Sequence, residues 1–279
     1  MCEIEYIQTN DDPEIEVRIA KFKTQNEKYK SRTVIIIPGW LSTIDEFTKL
    51  AQNLSKYGNI FIYEPRGYGK SKTPHKKGYF TPEEYDKELS RVIQTLNLKE
   101  KDFILFGSCS GASQVFNYYI NGKGLKPDLI TAISPQEKYK TPFWLPVLGW
   151  LPSFIMSFFQ AMIIFFMNVM LKFKKPEETQ NVRWAAKQLK ENDAWCLRRF
   201  VFEFVINYSI QGKLNEIDVP MLMYVAEDDY FVDPEVSKKF LSNENSEIIE
   251  LKSKFHRIQL DNEEVMAEKF SEFLLKLGK

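Results

Sequence analysis

Hydrophobic and polar residues follow two different periods along this chain, and the period predicts the type of each element. Thr33–Ile37 is an uninterrupted β-branched run, which is typical of a strand buried on both faces in a parallel sheet. Similar short apolar runs predict strands at 59–63, 103–106, 129–133, 221–225 and 247–251. Apolar residues at helical spacing predict helices over 43–56, 81–96, 110–120 and 262–277. This alternation predicts an α/β fold, in which a mostly parallel sheet is covered by helices on both faces.

The first part of the chain has a different pattern. Residues 4–8 and 14–23 alternate between apolar and polar side chains, and Asp11, Asp12 and Pro13 between them favour a turn. These two stretches therefore predict an antiparallel hairpin that precedes the parallel strands.

Charge and cysteine content exclude several classes of protein. Lys and Arg total 38, as do Asp and Glu, so no net positive field would attract nucleic acid. Cys2, Cys109 and Cys196 lie far apart, with no histidine nearby at ligand spacing, which argues against a disulfide framework and a structural zinc site. We therefore expect neither a metal nor a cofactor.

No secretory signal pattern is visible at the N-terminus, so the cytoplasm is the expected compartment.

One glycine-flanked turn carries the first candidate catalytic residue. Residues 107–111 read Gly-Ser-Cys-Ser-Gly and lie directly between a predicted strand and a predicted helix. Gly107 and Gly111 relieve the crowding of a sharp turn because they have no Cβ atom. The turn aims Cys109 at the helix N-terminus, whose partial positive charge stabilises a thiolate and, later, an oxyanion. The motif resembles the nucleophile elbow of the α/β-hydrolase superfamily, G-x-Nuc-x-G, with cysteine as the nucleophile.

Two further candidates follow in the order that this superfamily uses. Residues 226–234 come after a predicted strand and resemble its acid turn, G-x-x-D-x-x-v-x-P, in the register that selects Asp229. His256 lies between the last strand and the last helix, where the superfamily carries its histidine. The resemblance implies that Cys109 attacks the substrate and that His256 accepts and later returns the proton. Asp229 would orient the imidazole and stabilise its charged form.

The turn after the strand at 33–37 resembles the oxyanion loop of the same superfamily. It reads Ile-Pro-Gly-Trp where the superfamily usually has His-Gly-x. The resemblance implies an oxyanion hole formed by the backbone N–H groups of Trp40 and Ser110, with Gly39 supporting the turn. Leu41 or Trp40 could instead simply wall the pocket.

The loop at 63–71 is the most specific match to the superfamily. It resembles the sequence D-x-R-G-x-G-x-S, with Glu64 in place of the aspartate. The resemblance implies a structural role, in which Arg66 braces loops near the site. This loop supports the fold and says little about the substrate.

The alternation of strands and helices breaks once, in the second half of the chain. We therefore predict a hydrolase core formed by residues 1–135 and 215–279, with a helical cap inserted at 136–214. Within the insertion, residues 141–171 contain no Asp, Glu, Lys or Arg. A membrane span there would put Cys109 and His256 on opposite sides of the bilayer, so the predicted site argues against it.

Three interpretations of this uncharged stretch remain open. It could be a cap helix buried against its neighbours, or a lid that lines an apolar acyl pocket with Phe154 and Phe158. It could also lie at a membrane surface as a peripheral contact, flanked by Lys172, Lys174 and Lys175. These interpretations are compatible with one another, and nothing in the sequence indicates the oligomeric state.

The sequence supports one leading functional hypothesis and two alternatives. The leading hypothesis is hydrolysis of an apolar ester or thioester through an acyl-cysteine intermediate on Cys109. Cysteine at this position resembles both the dienelactone hydrolases and the polyhydroxyalkanoate synthases, so transfer of the acyl group to another acceptor is the first alternative. A non-catalytic, membrane-associated member of the fold is the second.

Overall fold

The computed structural model describes residues 2–9, 15–143, 152–173, 179–227, 229, 232, 234–241, 244–253 and 256–279, without the side chains of 153, 156, 180, 181 and 234. Within this part of the chain the strands are β1 Cys2–Gln8, β2 Glu16–Phe22, β3 Thr33–Ile37, β4 Asn59–Glu64, β5 Phe103–Ser108, β6 Leu129–Ile133, β7 Met221–Ala226 and β8 Glu247–Leu251. The helices are α1 Ile44–Leu54, α2 Pro82–Thr95, α3 Ser110–Asn121, α4 Ser153–Phe173, α5 Gln180–Glu191, α6 Ala194–Arg199, α7 Pro234–Lys238 and α8 Glu263–Lys276.

All the strands belong to one eight-stranded sheet in the order β1-β2-β4-β3-β5-β6-β7-β8. β1 pairs antiparallel with β2, and β2 pairs antiparallel with β4. Every other neighbouring pair is parallel. The predicted hairpin and parallel strands are thereby confirmed, whereas the turn predicted around 11–13 lies outside the described residues.

The two faces of the sheet bury separate hydrophobic clusters, which explains the uninterrupted apolar strands. In β3, Ile35 and Ile37 face the cluster that includes α2 and α3, while Val34 and Ile36 face the cluster that includes α1 and α8. Every residue of β3 is buried. Because successive side chains of a strand point to opposite faces, a strand covered on both sides must be apolar at every position.

The insertion between β6 and β7 contains α4, α5 and α6. After α6 the chain forms a short π-helical segment, Phe200–Val205. Phe200, Phe204 and Tyr208 stack in series, with ring centroids 5.0 and 5.5 Å apart. All three rings are buried, so the end of the insertion is part of the cluster on the α2 and α3 side of the sheet.

Hydrogen bonds also join the insertion to loops around the sheet. Gln188 Nε2 donates to Glu46 on α1 at 3.1 Å, and the backbone N–H of Gly69 donates to Asn192 at 2.9 Å. The backbone N–H of Phe80 donates to Glu203 at 2.9 Å. The division into a core and a cap with the boundaries given above stays a prediction.

The structure bears directly on the membrane-span interpretation of the uncharged stretch. Among the residues described, no helix has the length and hydropathy that crossing a bilayer requires.

Candidate active site

Cys109 occupies the tight turn between β5 and α3 in a conformation that side chains rarely adopt. Its backbone angles are φ 50° and ψ −112°. The Cys109 N–H donates to the carbonyl of Ile133 on β6 at 2.8 Å, and the Cys109 carbonyl accepts from Ser113 N–H at 3.1 Å. These bonds hold the strained turn in place. Strain of this kind, retained by surrounding structure, is typical of functional sites.

The two glycines of the motif are required by close packing around Cys109. A Cβ atom on Gly107 would lie 2.4 Å from Ala112 Cα, in the first turn of α3. A Cβ atom on Gly111 would lie 2.2 Å from the carbonyl oxygen of Ile37, at the end of β3. Both distances are far below van der Waals contact, so neither position accepts a side chain without displacing backbone.

His256 and Asp229 are hydrogen-bonded to each other. The Nδ1–H of His256 donates to the Asp229 carboxylate, with Nδ1–Oδ2 and Nδ1–Oδ1 distances of 2.8 and 2.9 Å. The Asp229 side chain is fully buried, and it also accepts from Ser134 Oγ at 2.8 Å and from Val232 N–H at 3.1 Å. Charged groups are buried in proteins when they are paired and hydrogen-bonded in this way.

The imidazole of His256 also interacts with Cys109. Because Nδ1 is held by Asp229, Nε2 is the nitrogen available to the cysteine, whose side chain hydrogen-bonds His256. Burial alone would lower the pKa of His256, but the negative charge of Cys109 and the hydrogen bonds to Asp229 and Cys109 raise it to about 10. The interactions with Cys109 and Asp229 therefore favour the protonated form of His256.

The turn that carries Trp40 packs directly against the elbow. A Cβ atom on Gly39 would lie 2.9 Å from the Ser108 carbonyl oxygen and 3.2 Å from Cys109 Cβ. Ser42 N–H donates to the Gly39 carbonyl at 3.0 Å and closes the turn, in which Leu41 has a φ of 67°. This arrangement holds the backbone of Gly39, next to Trp40, against Ser108 and Cys109. An oxyanion hole formed by their N–H groups stays a prediction.

Arg66 is fully buried, and it ties its loop to α2. Its Nε donates to Glu88 Oε2 at 2.7 Å, and its Nη1 donates to the Tyr79 carbonyl at 3.0 Å. Glu64, which replaces the aspartate of the loop motif, accepts from the backbone N–H groups of Ile44 and Lys70 at 2.9 and 3.0 Å. Both residues therefore act on loop structure, and neither contacts Cys109.

Two of the residues predicted to line a substrate pocket are largely exposed. Phe154 and Phe158 are on α4, with 73% and 61% of their surface exposed. Their part in a substrate pocket stays a prediction, as does that of Leu41.

Three residues around the site were not predicted from the sequence. Ser134 holds Asp229 and has a φ of 47° directly after β6, a strand end that could have drawn attention to it. Tyr68 and Tyr139 are close enough to Cys109 for its negative charge to raise the pKa of each phenol, although burial is the larger cause. Tyr68 contacts Ser110 Oγ at 3.4 Å. Tyr139 belongs to the insertion, where no motif applies.

One group of described side chains has donor atoms close enough together to hold a metal ion, namely His75, Asp193 and Cys196. Asp193 Oδ1 already accepts from the N–H groups of Trp195 and Cys196 at 2.9 Å each and so caps α6. Burial raises the pKa of the Cys196 thiol, which keeps it protonated and a poor ligand. The cluster is explained by helix capping.

The eight-stranded, mostly parallel sheet with helices on both faces is that of an α/β-hydrolase. The chain matches the family described as serine aminopeptidase, S33, over residues 29–263, and it belongs to that family. No curated protein matches the chain in sequence.

Solved structures share the fold over nearly the whole chain. A thermophilic esterase from Thermogutta terrifontis superposes with a TM-score of 0.77 at 14% identity, covering 99% of this chain and 100% of the esterase. A bromoperoxidase from Bacillus anthracis gives 0.73 at 18% identity, covering 98% and 99% of the two chains. An esterase from Exiguobacterium antarcticum gives 0.73 at 16% identity, covering 96% and 98%. At these identities the likeness concerns the fold alone.

Proposed function

We propose that this chain hydrolyses an ester or thioester of an apolar acyl group through an acyl intermediate on Cys109. The observation that carries the proposal is the position of His256. Its Nδ1–H donates to buried Asp229, and its ring also hydrogen-bonds the side chain of Cys109. This member of a family described as serine aminopeptidase has a cysteine at the elbow, and the imidazole beside it can accept the proton of the thiol.

The reaction follows from the charges of these groups. The thiolate of Cys109 forms a bond to the carbonyl carbon, and the carbonyl oxygen becomes an oxyanion beside the N–H groups of Trp40 and Ser110. When the tetrahedral intermediate collapses, the bond to the leaving alkoxide or thiolate breaks and His256 gives it a proton. His256 then takes a proton from water, which attacks the acyl-cysteine and releases the acid and the free thiolate.

The test is a panel of p-nitrophenyl esters and acyl thioesters of increasing chain length, with rapid acid quenching and mass spectrometry of the protein. We expect an increase in mass equal to the acyl group, located on the peptide that contains Cys109 and absent from Cys109→Ala. Cys196→Ala is the matched control and should form the same adduct. Turnover that continues in Cys109→Ala, or an adduct on Cys196 instead, would rule out the proposed nucleophile.

The same experiment separates hydrolysis from acyl transfer. Water as the acceptor yields only the free acid, whereas an added alcohol or thiol that captures the acyl group yields a new ester or thioester. We expect the free acid as the main product. A dominant transfer product would move the assignment to the acyltransferase alternative while keeping Cys109 as the nucleophile.

A further inference from the structure

The outer side of α4 is apolar and exposed. The helix has 21 residues, and Lys172 near its C-terminal end carries its only charge. Phe165 and Phe166 expose 62% and 59% of their surface. Other large apolar side chains on this helix are also exposed, namely Phe154, Phe158, Phe159 and Ile163. We call these six residues the outer face of α4.

Only the opposite side of the helix packs against the rest of the insertion. Gln160 Nε2 donates to the Leu189 carbonyl of α5 at 2.6 Å, and Ile164 lines a cleft of about 520 Å³ shared with Leu189. At about 100° per residue, the outer face covers roughly half of the helix circumference. Contiguous exposed apolar surface of this kind marks a binding site for a protein or a membrane.

The charge around the outer face identifies the kind of partner. Between Lys138 and Pro176 the sequence has no Asp or Glu. It does have lysines on both sides of the uncharged stretch, at 138 and 140 before it and at 172, 174 and 175 after it. A face of aromatic and aliphatic side chains flanked by lysines fits the acyl and headgroup regions of an anionic bilayer.

We propose that the outer face of α4 binds the surface of an anionic phospholipid bilayer, with the helix axis parallel to the membrane plane. The aromatic rings enter the boundary between headgroups and acyl chains, and Lys172 at the end of the helix faces the phosphates. No described helix is able to cross the bilayer, which agrees with a helix that rests on it. This inference goes beyond the proposed chemistry and does not depend on it.

A second copy of the chain fits the outer face less well. A two-fold dimer would place the same patch on both partners. The helix itself carries Lys172 as its only charge and offers no carboxylate to pair with the lysine of a second copy. Like charges across an interface oppose association, whereas anionic lipid supplies the missing negative charge.

The test is flotation of the purified full chain with vesicles of phosphatidylcholine, alone or mixed with phosphatidylserine. We expect binding that is at least about tenfold tighter to the mixed vesicles, and weaker as salt screens the lysines. The double variant Phe165→Ser/Phe166→Ser should lose on the order of tenfold or more in affinity for the mixed vesicles, because two exposed rings no longer enter the bilayer. Leu275→Ser is the matched control, since Leu275 is an exposed apolar residue on α8, and it should bind as the unsubstituted chain does.

A second variant tests the charged part of the proposal. Reversing the charge at 172, 174 and 175 to Glu should reduce binding to phosphatidylserine vesicles on the order of a hundredfold, with little effect on phosphatidylcholine alone. Thermal unfolding midpoints establish that each variant is folded, and they do not depend on any enzymatic activity. Phe165 and Phe166 are outside the site, so turnover of a small soluble ester should be unchanged in the Phe double variant.

Three results would overturn the proposal. The first is a folded unsubstituted chain that fails to float with phosphatidylserine vesicles. The second is a Phe165→Ser/Phe166→Ser variant that floats as well as the unsubstituted chain. The third is a dimer, measured by light scattering, that these two substitutions dissociate while vesicle binding is absent in both proteins.

Discussion

The candidate active site and the outer face of α4 both hold side chains in energetically unfavourable surroundings. The two regions differ in what compensates for this. At the site, the buried carboxylate of Asp229 is met by Ser134, Val232 and His256 from the same chain. On α4, rings such as those of Phe165 and Phe166 stay exposed, because none of the described residues covers them. The buried charge of the first region is therefore stabilised within the chain. The apolar surface of the second would be stabilised by a binding partner.

The largest expected effect concerns the nucleophile. Cys109→Ala should lower kcat for p-nitrophenyl butanoate on the order of 10⁴-fold or more, because the atom that bonds to the acyl group is gone. Cys196→Ala should stay close to the unsubstituted rate. Steady-state kinetics on both variants checks this, and equal losses in the two would remove the distinction between the site and the insertion.

The next effect concerns the buried carboxylate. Asp229→Asn keeps the shape of the side chain but no longer favours the imidazolium, so kcat should fall on the order of 10²- to 10⁴-fold. The pKa of His256 should also fall, because a hydrogen bond to Asp229 is among the causes that raise it. NMR titration of the imidazole measures the pKa directly. An unchanged titration would show that Asp229 does not act through His256.

A smaller effect is expected at Ser134, one of the residues that the sequence did not predict. Ser134→Ala removes one hydrogen bond to an ionised group, so kcat should fall roughly tenfold. Thr131→Val, on the same strand, removes a buried hydroxyl that has no hydrogen-bond partner among the described residues, and it should leave kcat unchanged. If the two variants lose activity equally, Ser134 serves the packing of β6 and does not position Asp229.

The last effect concerns stability and the junction between the two regions. Glu46 accepts hydrogen bonds from Trp184 and Gln188 of the insertion and lies 3.8 Å from Arg257, next to His256. Burial raises its pKa from about 4.5 to about 7. The folded chain therefore binds this proton more tightly than the unfolded chain does. Stability should fall as the pH rises from about 4.5 through about 7, by no more than about 3 kcal/mol.

Glu46→Gln removes this ionisation while keeping an oxygen for Trp184. We expect the variant to gain stability relative to the unsubstituted chain as the pH rises from about 5 to about 8. Denaturant unfolding at both pH values measures the difference, and Glu27→Gln, at an exposed carboxyl, is the control. A difference that is the same at both values would contradict the assigned titration.

The sheet and the glycine-flanked turn at Cys109 could be predicted because short-range patterns determine them. β3 is apolar from Val34 to Ile37 because both of its faces are buried, and Gly107 and Gly111 are separated by the length of one sharp turn. The support of Asp229 by Ser134 was not predictable, because it depends on two strand ends that meet in space. The orientation of α4 was not predictable either, because a helix that is apolar on all sides has no period to show which side is covered.

The pairing of Cys109 with His256 is tested most directly by the rate of cysteine alkylation at about pH 7. The thiolate is the form of cysteine that reacts with iodoacetamide, and an imidazole that accepts the proton promotes this reaction. We expect Cys109 to be labelled faster than Cys2 and Cys196, and His256→Ala to slow the labelling of Cys109. Labelling of all three cysteines at the same slow rate, unchanged by His256→Ala, would contradict the pairing.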